Sequence, residues 1–279
     1  MMIKISSLDQ IREEIKRIRD AKKGYFSNLF FDAEKFNLWI KTEIFYFYPT
    51  NEFVFFFKKN ASFYNVYFCS ESIESLNKGI SLLKNIYNDR IFVFDIVGTE
   101  SGSEETCQVF ITNGYFLYTS LNRMSRLISS KQKSAENDSI RFADHTDLNE
   151  IHTLLYEYFD EYAEQLPLAE ELKTWIERKH LLLYVENKQI IGFSIFDIIG
   201  LTSYLRYWFV HPMHRNKKIG SSLLRRFFYE GRETKRQLFW VIENNENAII
   251  RYQHYGFKKE NLMDYIYINI DKQYENKSD

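Results

Sequence analysis

The 279-residue sequence predicts an α/β chain in two domains, and three observations carry that prediction. Apolar patterns with helical and with strand periods alternate along its length. A polar stretch at 129–139 (SSKQKSAENDS), without an aromatic or branched aliphatic residue, parts two well-patterned halves and reads as an exposed linker. An aromatic run at 204–210 then breaks at Pro212, passes through basic residues and restarts as a helix. The expected domains are 1–130 and 139–279.

In the first half, Leu8, Ile11, Ile15 and Ile18 share one helical face across 8–21, and a shorter helix is expected at 32–41. Strands follow at 44–48, 52–58 and 63–69, rich in Phe and Tyr. Ile73, Leu76, Ile80, Leu83 and Tyr87 stripe a helix over 72–88, with Glu71 or Ser72 near its start. A β-branched run at 90–97 is a strand, and Gly98 to Glu105 reads by composition as a loop.

In the second half a short strand is expected at 140–143. Asp147 and Glu150 are spaced as a capping box for a helix striped by Leu148, Ile151, Leu155, Tyr158 and Tyr162. A helix at 168–179 precedes strands at 181–186 and 190–196, joined by a hairpin turn at Asn187-Lys188. A long strand at 203–210 leads into the basic turn. The helix after it is striped by Ile219, Leu223, Leu224, Phe227 and Phe228. A strand at 238–242, a helix at 246–255 and a closing strand at 263–270 complete the order.

Strand, basic turn, glycine and helix start together make a seat for phosphate. The first helical turn leaves its N–H groups free, the macrodipole favours an anion there, and Gly220 lets backbone approach closely.

At these residues the sequence resembles the GNAT family of acyl-CoA-dependent N-acyltransferases. Arg215-x-x-Lys218-x-Gly220-Ser221 stands where the family has Q/R-x-x-G-x-G/A. The second motif, Asn245-x-x-Ala248-Ile249-x-x-Tyr252-x-x-x-Gly256-Phe257, follows at the expected distance. The resemblance covers about residues 139–270 and implies the acyl-CoA N-acyltransferase fold: a mixed, mostly antiparallel central sheet flanked by helices. It implies acetyl-CoA as co-substrate, bound by the backbone around Phe209 and Val210. Its diphosphate would lie against Arg215, Asn216, Lys217, Lys218, Ile219, Gly220 and Ser221, with Asn245 near the pantetheine. Tyr252 would be the general acid for the departing thiolate. Asn216 and Lys218 depart from the family's glycines, and a side chain at Lys218 requires a negative φ or an exit to solvent.

The first half ends like the second, with Gly114-Tyr115 matching Gly256-Phe257. It is read either as a degenerate GNAT-like copy without a basic glycine-bearing turn, with Phe110 in the place of Tyr252, or as an unrelated α/β domain. The family does not fix the general base; Glu243, Glu157, Asp160 and Glu161 are the candidates.

Composition excludes several classes. The 37 basic and 38 acidic residues cancel, so no bulk field points to nucleic acid or an acidic membrane. The apolar runs are far shorter than the roughly 20 residues a spanning helix needs. Cys69 and Cys107 are too few for a disulfide framework, and a cytoplasmic setting is expected. No histidine or cysteine spacing suits a metal. The 25 Phe and 20 Tyr read as strand and core fillers. An N-acetyltransferase acting on a small-molecule or peptide amine is the first reading; a non-catalytic acyl-CoA-binding or sensor module is the second. The sequence leaves the acceptor, the acyl length and the oligomeric state open, a homodimer included.

Overall fold

The computed structural model describes residues 1–128, 137–215 and 217–270. Of the polar stretch at 129–139, positions 129–136 lie outside the described residues. The chain forms two compact units, one of residues 1–121 with the segment from Asn261 onward, the other of 122–260.

The first unit contains β1 (Ile3–Lys4), α1 (Leu8–Asp20), β2 (Phe26–Ser27), α2 (Ala33–Lys41), β3 (Phe45–Pro49), β4 (Phe53–Lys59), β5 (Phe63–Ser70), α3 (Ile73–Ile86), β6 (Ile91–Gly98) and α4 (Glu100–Thr112). Its sheet runs β1-β3-β4-β5-β6, with β2 beside β5. One face packs Phe55, Phe57, Phe92 and Phe94 against Leu76, Ile80 and Phe110 of α3 and α4. The aromatics that dominate the composition are therefore core.

Two sequence expectations are corrected here. The stretch from Gly98 to Glu105, read as a loop, begins a helix. Thr99 caps α4, its hydroxyl accepting the Gly102 N–H, and Ser103 Oγ bonds back to Thr99 O at 2.8 Å. Small polar residues there serve the cap rather than a loop. The short strand β2 has no counterpart among the expected strands, since two residues carry no period.

β7 (Phe116–Leu127), a strand beyond those expected, contributes residues 122–127 to the second unit. That unit continues with β8 (Ile140–Phe142), α5 (Leu148–Tyr158), α6 (Ala169–Glu177), β9 (Leu181–Glu186), β10 (Gln189–Ile199), β11 (Thr202–Val210), α7 (Ile219–Glu230), β12 (Arg236–Ile242) and α8 (Glu246–His254). Its sheet runs β7-β12-β11-β10-β9-β8; β11 meets β12 in parallel, and the pairs β11-β10, β10-β9 and β9-β8 are antiparallel. Three layers result. Leu223, Leu224, Phe227 and Ile249 of α7 and α8 cover one face; Ile151, Leu155, Leu172 and Ile176 of α5 and α6 cover the other.

Asn187 and Lys188 carry φ of 52° and 63°, the left-handed pair a two-residue hairpin demands. The Asp147–Glu150 capping box does not form. Asp144 starts a one-turn 3-10 helix instead, and Asp147 takes a two-pronged bond from Arg141, at 2.7 Å on each oxygen. Glu150 accepts the Ile190 N–H.

The last strand, β13 (Lys258–Ile268), was expected to close the second half. From Met263 to Ile268 it pairs antiparallel with β6 and so completes the first unit. Alternating apolar residues announce a strand but not its partner.

Candidate active site

The strand β11 is the axis of the site. It pairs in parallel with β12 at Thr202, Ser203 and Tyr204, and among the described residues the ladder stops there. On its other edge β11 stays paired with β10 up to Val210. The His211 N–H is donated to Ile191 O on the β10 side. Backbone groups alternate in direction along a strand, so Phe209 faces β10 and the amides of Trp208 and Val210 face the gap toward β12. Of the two expected backbone donors, Val210 is the one turned into the gap.

The chain then makes a 3-10 turn at Pro212–His214 and enters α7. Arg215, Lys217 and Lys218 are exposed, while Asn216 lies outside the described residues. Lys218, the N-cap residue, has φ 62° and ψ 10°, and its side chain makes no capping bond. The glycine-like conformation is thus kept by a lysine whose side chain goes to solvent. A non-glycine residue in that region costs about 1 kcal/mol. Lys218→Gly is accordingly expected to raise unfolding stability by about 0.5–1 kcal/mol, whereas Lys218→Ala leaves it unchanged; urea denaturation of the three proteins checks this.

Ile219 is buried under the sheet. Gly220 is required by close approach: a Cβ there would lie 2.8 Å from Trp208 Cζ2 and 3.3 Å from Val210 Cγ2. Its carbonyl accepts Trp208 Nε1–H at 3.2 Å. The Ser221 hydroxyl accepts from Tyr255 Oη–H at 2.7 Å and ties α7 to α8. The first-turn amides of α7 have no helical acceptors and no side-chain cap, which leaves a cationic, anion-ready helix start. Glu186 faces it, 3.5 Å from both Lys217 Nζ and His214 Nδ1. His211 holds the turn, accepting the Met213 N–H at Nδ1 and meeting Tyr158 Oη at Nε2.

Tyr252 lies on the inner face of α8, 8% exposed. Its ring sits 4.1 Å from that of Phe239 on β12 and 5.4 Å from that of Trp208 on β11, beside the gap. Burial raises its phenol well above the ordinary value, and the charge of Glu164 adds to this against Arg251. The group is held protonated, as a donor must be. Asn245 caps α8, its Oδ1 accepting the Ala248 N–H at 3.2 Å, and its exposed side chain keeps the amide available.

The candidate bases fare unequally. Glu243 and Glu157 are exposed. Asp160 is committed to the backbone, its Oδ1 accepting the N–H groups of Tyr162 and Ala163. Glu161 is partly buried. The acidic residue that stands out was not singled out from sequence: Glu164, whose carboxyl burial pushes up to about 7, helped by Asp160. In sequence it is one of six carboxylates at 157–171, a run that looks like a solvated face. Only the fold distinguishes it.

The first unit shares some of these features and differs in others. β5 and β6 are parallel at Phe63, Tyr64 and Asn65 only, as β11 and β12 are. Phe110 packs on Phe94 and Tyr115 as Tyr252 packs on Phe239 and Phe257. The start of α3 is capped by its own Ser72 and follows Glu71, which is ion-paired with Lys23. The gap beside β5 is occupied by the chain itself. Ser27 pairs with Cys69, and the Asn28 carboxamide donates to Val66 O and Asp95 O while accepting the Phe68 N–H.

Among the described residues no helix is long and apolar enough to cross a membrane, and no group of three His, Cys, Asp or Glu could hold a metal.

Comparison with known proteins agrees with this geometry. Residues 148–257 match the family model described as acetyltransferase (GNAT) family. No match was found among curated proteins. Among solved structures, a GCN5-related N-acetyltransferase from Sphaerobacter thermophilus is 15% identical, with a TM-score of 0.57 over 78% of this chain and 80% of its own. An acetyltransferase from the GNAT family of Colwellia psychrerythraea is 13% identical, with a TM-score of 0.54 over 97% of this chain and 100% of its own. A tandem GNAT protein from the clavulanic acid biosynthesis pathway is 9% identical, with a TM-score of 0.57 over 96% and 97%. At these identities the likeness is one of fold. The matched segment, the strand order and the parallel β11–β12 gap concur: residues 148–257 form a domain of the acetyltransferase (GNAT) family.

Proposed function

We propose that the chain is an N-acetyltransferase that moves an acetyl group from acetyl-CoA to a primary amine by direct attack in a ternary complex. The observation that carries this reading is the uncapped, basic start of α7 beside an unpaired edge of β11, with Tyr252 across the gap. The residues fit the co-substrate. Free amides at Ile219, Gly220 and Ser221, with Arg215, Lys217 and Lys218, suit a diphosphate. Gly220 lets the start of α7 lie close against Trp208 and Val210 of β11, beside the gap. The Val210 amide, aimed into the gap, suits the pantetheine and the carbonyl oxygen.

Bound acetyl-CoA would supply the activated thioester. Val210 N–H polarises the carbonyl, and Tyr252 gives its proton to the departing sulfur. A thiolate leaving into the same desolvated gap is itself made more basic, which narrows the mismatch with the raised phenol. The acceptor is an amine whose cationic form is drawn to the acidic 157–171 segment.

Acetyl-CoA is expected to bind once per chain, because the first unit fills its own gap with Ser27 and Asn28. At 100 times Kd it stabilises the fold by about 2.7 kcal/mol. Calorimetry giving a stoichiometry of one, together with thiol release in the presence of amines, supports the enzyme. Binding without thiol release identifies a non-catalytic acyl-CoA module, and absence of binding overturns both.

A further inference from the structure

The segment between α5 and α6 is pinned onto β11. Tyr207 Oη donates to Glu164 O at 3.1 Å and to Gln165 O at 3.0 Å, and Gln165 is held at a φ of 44°. The Glu164 N–H is donated to Asp160 O, and its Oε2 accepts the Asp160 N–H at 3.0 Å. The carboxylate is thus fixed from its own loop on the α5–α6 side of the sheet, whereas Tyr252 approaches from the α8 side. The two stand over opposite faces of neighbouring β11 residues, Glu164 against Tyr207 and Tyr252 against Trp208, and the charge of Glu164 raises the Tyr252 phenol further. The charge that acts on Glu164 is that of Asp160 on its own loop; Glu164 in turn acts on Tyr207 of β11, which also feels Glu171 and Arg206, and on Tyr252 of α8, which also feels Arg251. Arg206 is committed to Asp197 at 2.6 Å, so it does not neutralise the glutamate.

We propose that Glu164 takes the proton from the acceptor's ammonium, across the β11–β12 gap from the residue that protonates the leaving sulfur. The inference rests on the acyltransferase reading above. Glu164 accepts one proton and frees the nitrogen lone pair, which forms the C–N bond as the C–S bond breaks. Tyr252 protonates the sulfur. The second proton, shed by the nitrogen as the amide forms, restores Tyr252, and Glu164 returns its proton to solvent. One proton is released overall. A carboxyl held near 7 suits this task, being ionised in a large fraction of chains at neutral pH and basic enough to accept.

The first test needs neither acetyl-CoA nor acceptor. A carboxyl raised on folding binds more protons in the folded chain than in the unfolded one. It therefore lowers stability as pH rises from its ordinary value of about 4.3 through about 7. Glu164→Gln keeps the acceptor for the Asp160 N–H and removes that slope. The difference in Tm, variant minus wild type, is expected to grow by several degrees between pH 5 and pH 8, and a flat difference overturns the proposal.

The second test follows thiol release from acetyl-CoA with 1,4-diaminobutane and phenylethylamine as probe amines. In Glu164→Gln, kcat/KM is expected to fall about 100-fold and its acidic limb near pH 7 to vanish, with the acetyl-CoA Kd within twofold. An unchanged limb and rate, or a limb lost in Glu157→Gln instead, overturns the assignment. A wild-type chain that binds no acetyl-CoA sinks the acyltransferase reading itself, whereas normal transfer by Glu164→Gln sinks this inference alone.

Discussion

Tyr252→Phe is expected to lower kcat for thiol release about 100-fold or more, while the acetyl-CoA Kd stays within twofold and the unfolding free energy within about 1 kcal/mol. The substitution removes one hydroxyl and no packing. The first unit already shows that a phenylalanine fits such a place, since Phe110 sits between Phe94 and Tyr115 much as Tyr252 sits between Phe239 and Phe257. Loss of rate with binding intact is what removal of a leaving-group acid does. A tyrosine that merely fills the core would lose stability or affinity instead. The sign with pH follows from burial: the phenol is held above its ordinary value, so wild-type activity should not decline through pH 9–10 by ionisation of Tyr252. Stopped-assay thiol titration, calorimetry and denaturant melts decide among these outcomes.

Asn28→Ala is expected to have the largest effect on stability, about 2–4 kcal/mol. One carboxamide satisfies three backbone groups: Val66 O and Asp95 O, each at 3.1 Å, and Phe68 N–H at 2.7 Å. Val66 and Phe68 are on β5 and Asp95 is on β6, so the side chain bridges strands whose own ladder has ended at Asn65 and Val93. Removing it leaves a donor and two acceptors without their partner, and the side chain is only half-buried, so entering water tempers the loss. Asn28→Asp keeps the shape but sets a carboxylate against two carbonyl oxygens. Its folded-state pKa is raised, so its stability deficit should grow as pH rises above about 4. Urea midpoints at pH 4 and pH 7 check both variants.

Much of the frame was legible because periodic residues did the specifying. Ile219, Leu223, Leu224, Phe227 and Phe228 lie buried along α7 as their spacing requires, and the Asn187-Lys188 turn has the conformation its composition suggests. What escaped was decided by partners distant in sequence. Glu164 is indistinguishable from Glu157 or Glu161 in the string, because its burial depends on Tyr207 reaching back to the loop's carbonyls. Asn28 is an unremarkable polar residue until β5 and β6 separate around it. Thr99 to Ser103 reads as a loop since capping residues and loop residues are the same types. Lys218 shows the converse: the family's pattern predicts a left-handed backbone, and the conformation persists although the glycine does not.

The route of β13 governs the order in which the protein can be finished. Met263 to Ile268 complete the sheet of a unit whose other strands, β1 to β6, are made in the first hundred residues. That unit cannot be excised as a contiguous fragment: a piece ending near residue 130 would expose the β6 edge, with Phe94 and Ile96 stripped of cover, and should aggregate. On the ribosome the same edge waits through synthesis of residues 99–262. At about 5–20 residues per second that is a delay of order ten seconds or more, so this unit closes only after the one that interrupts it has been made.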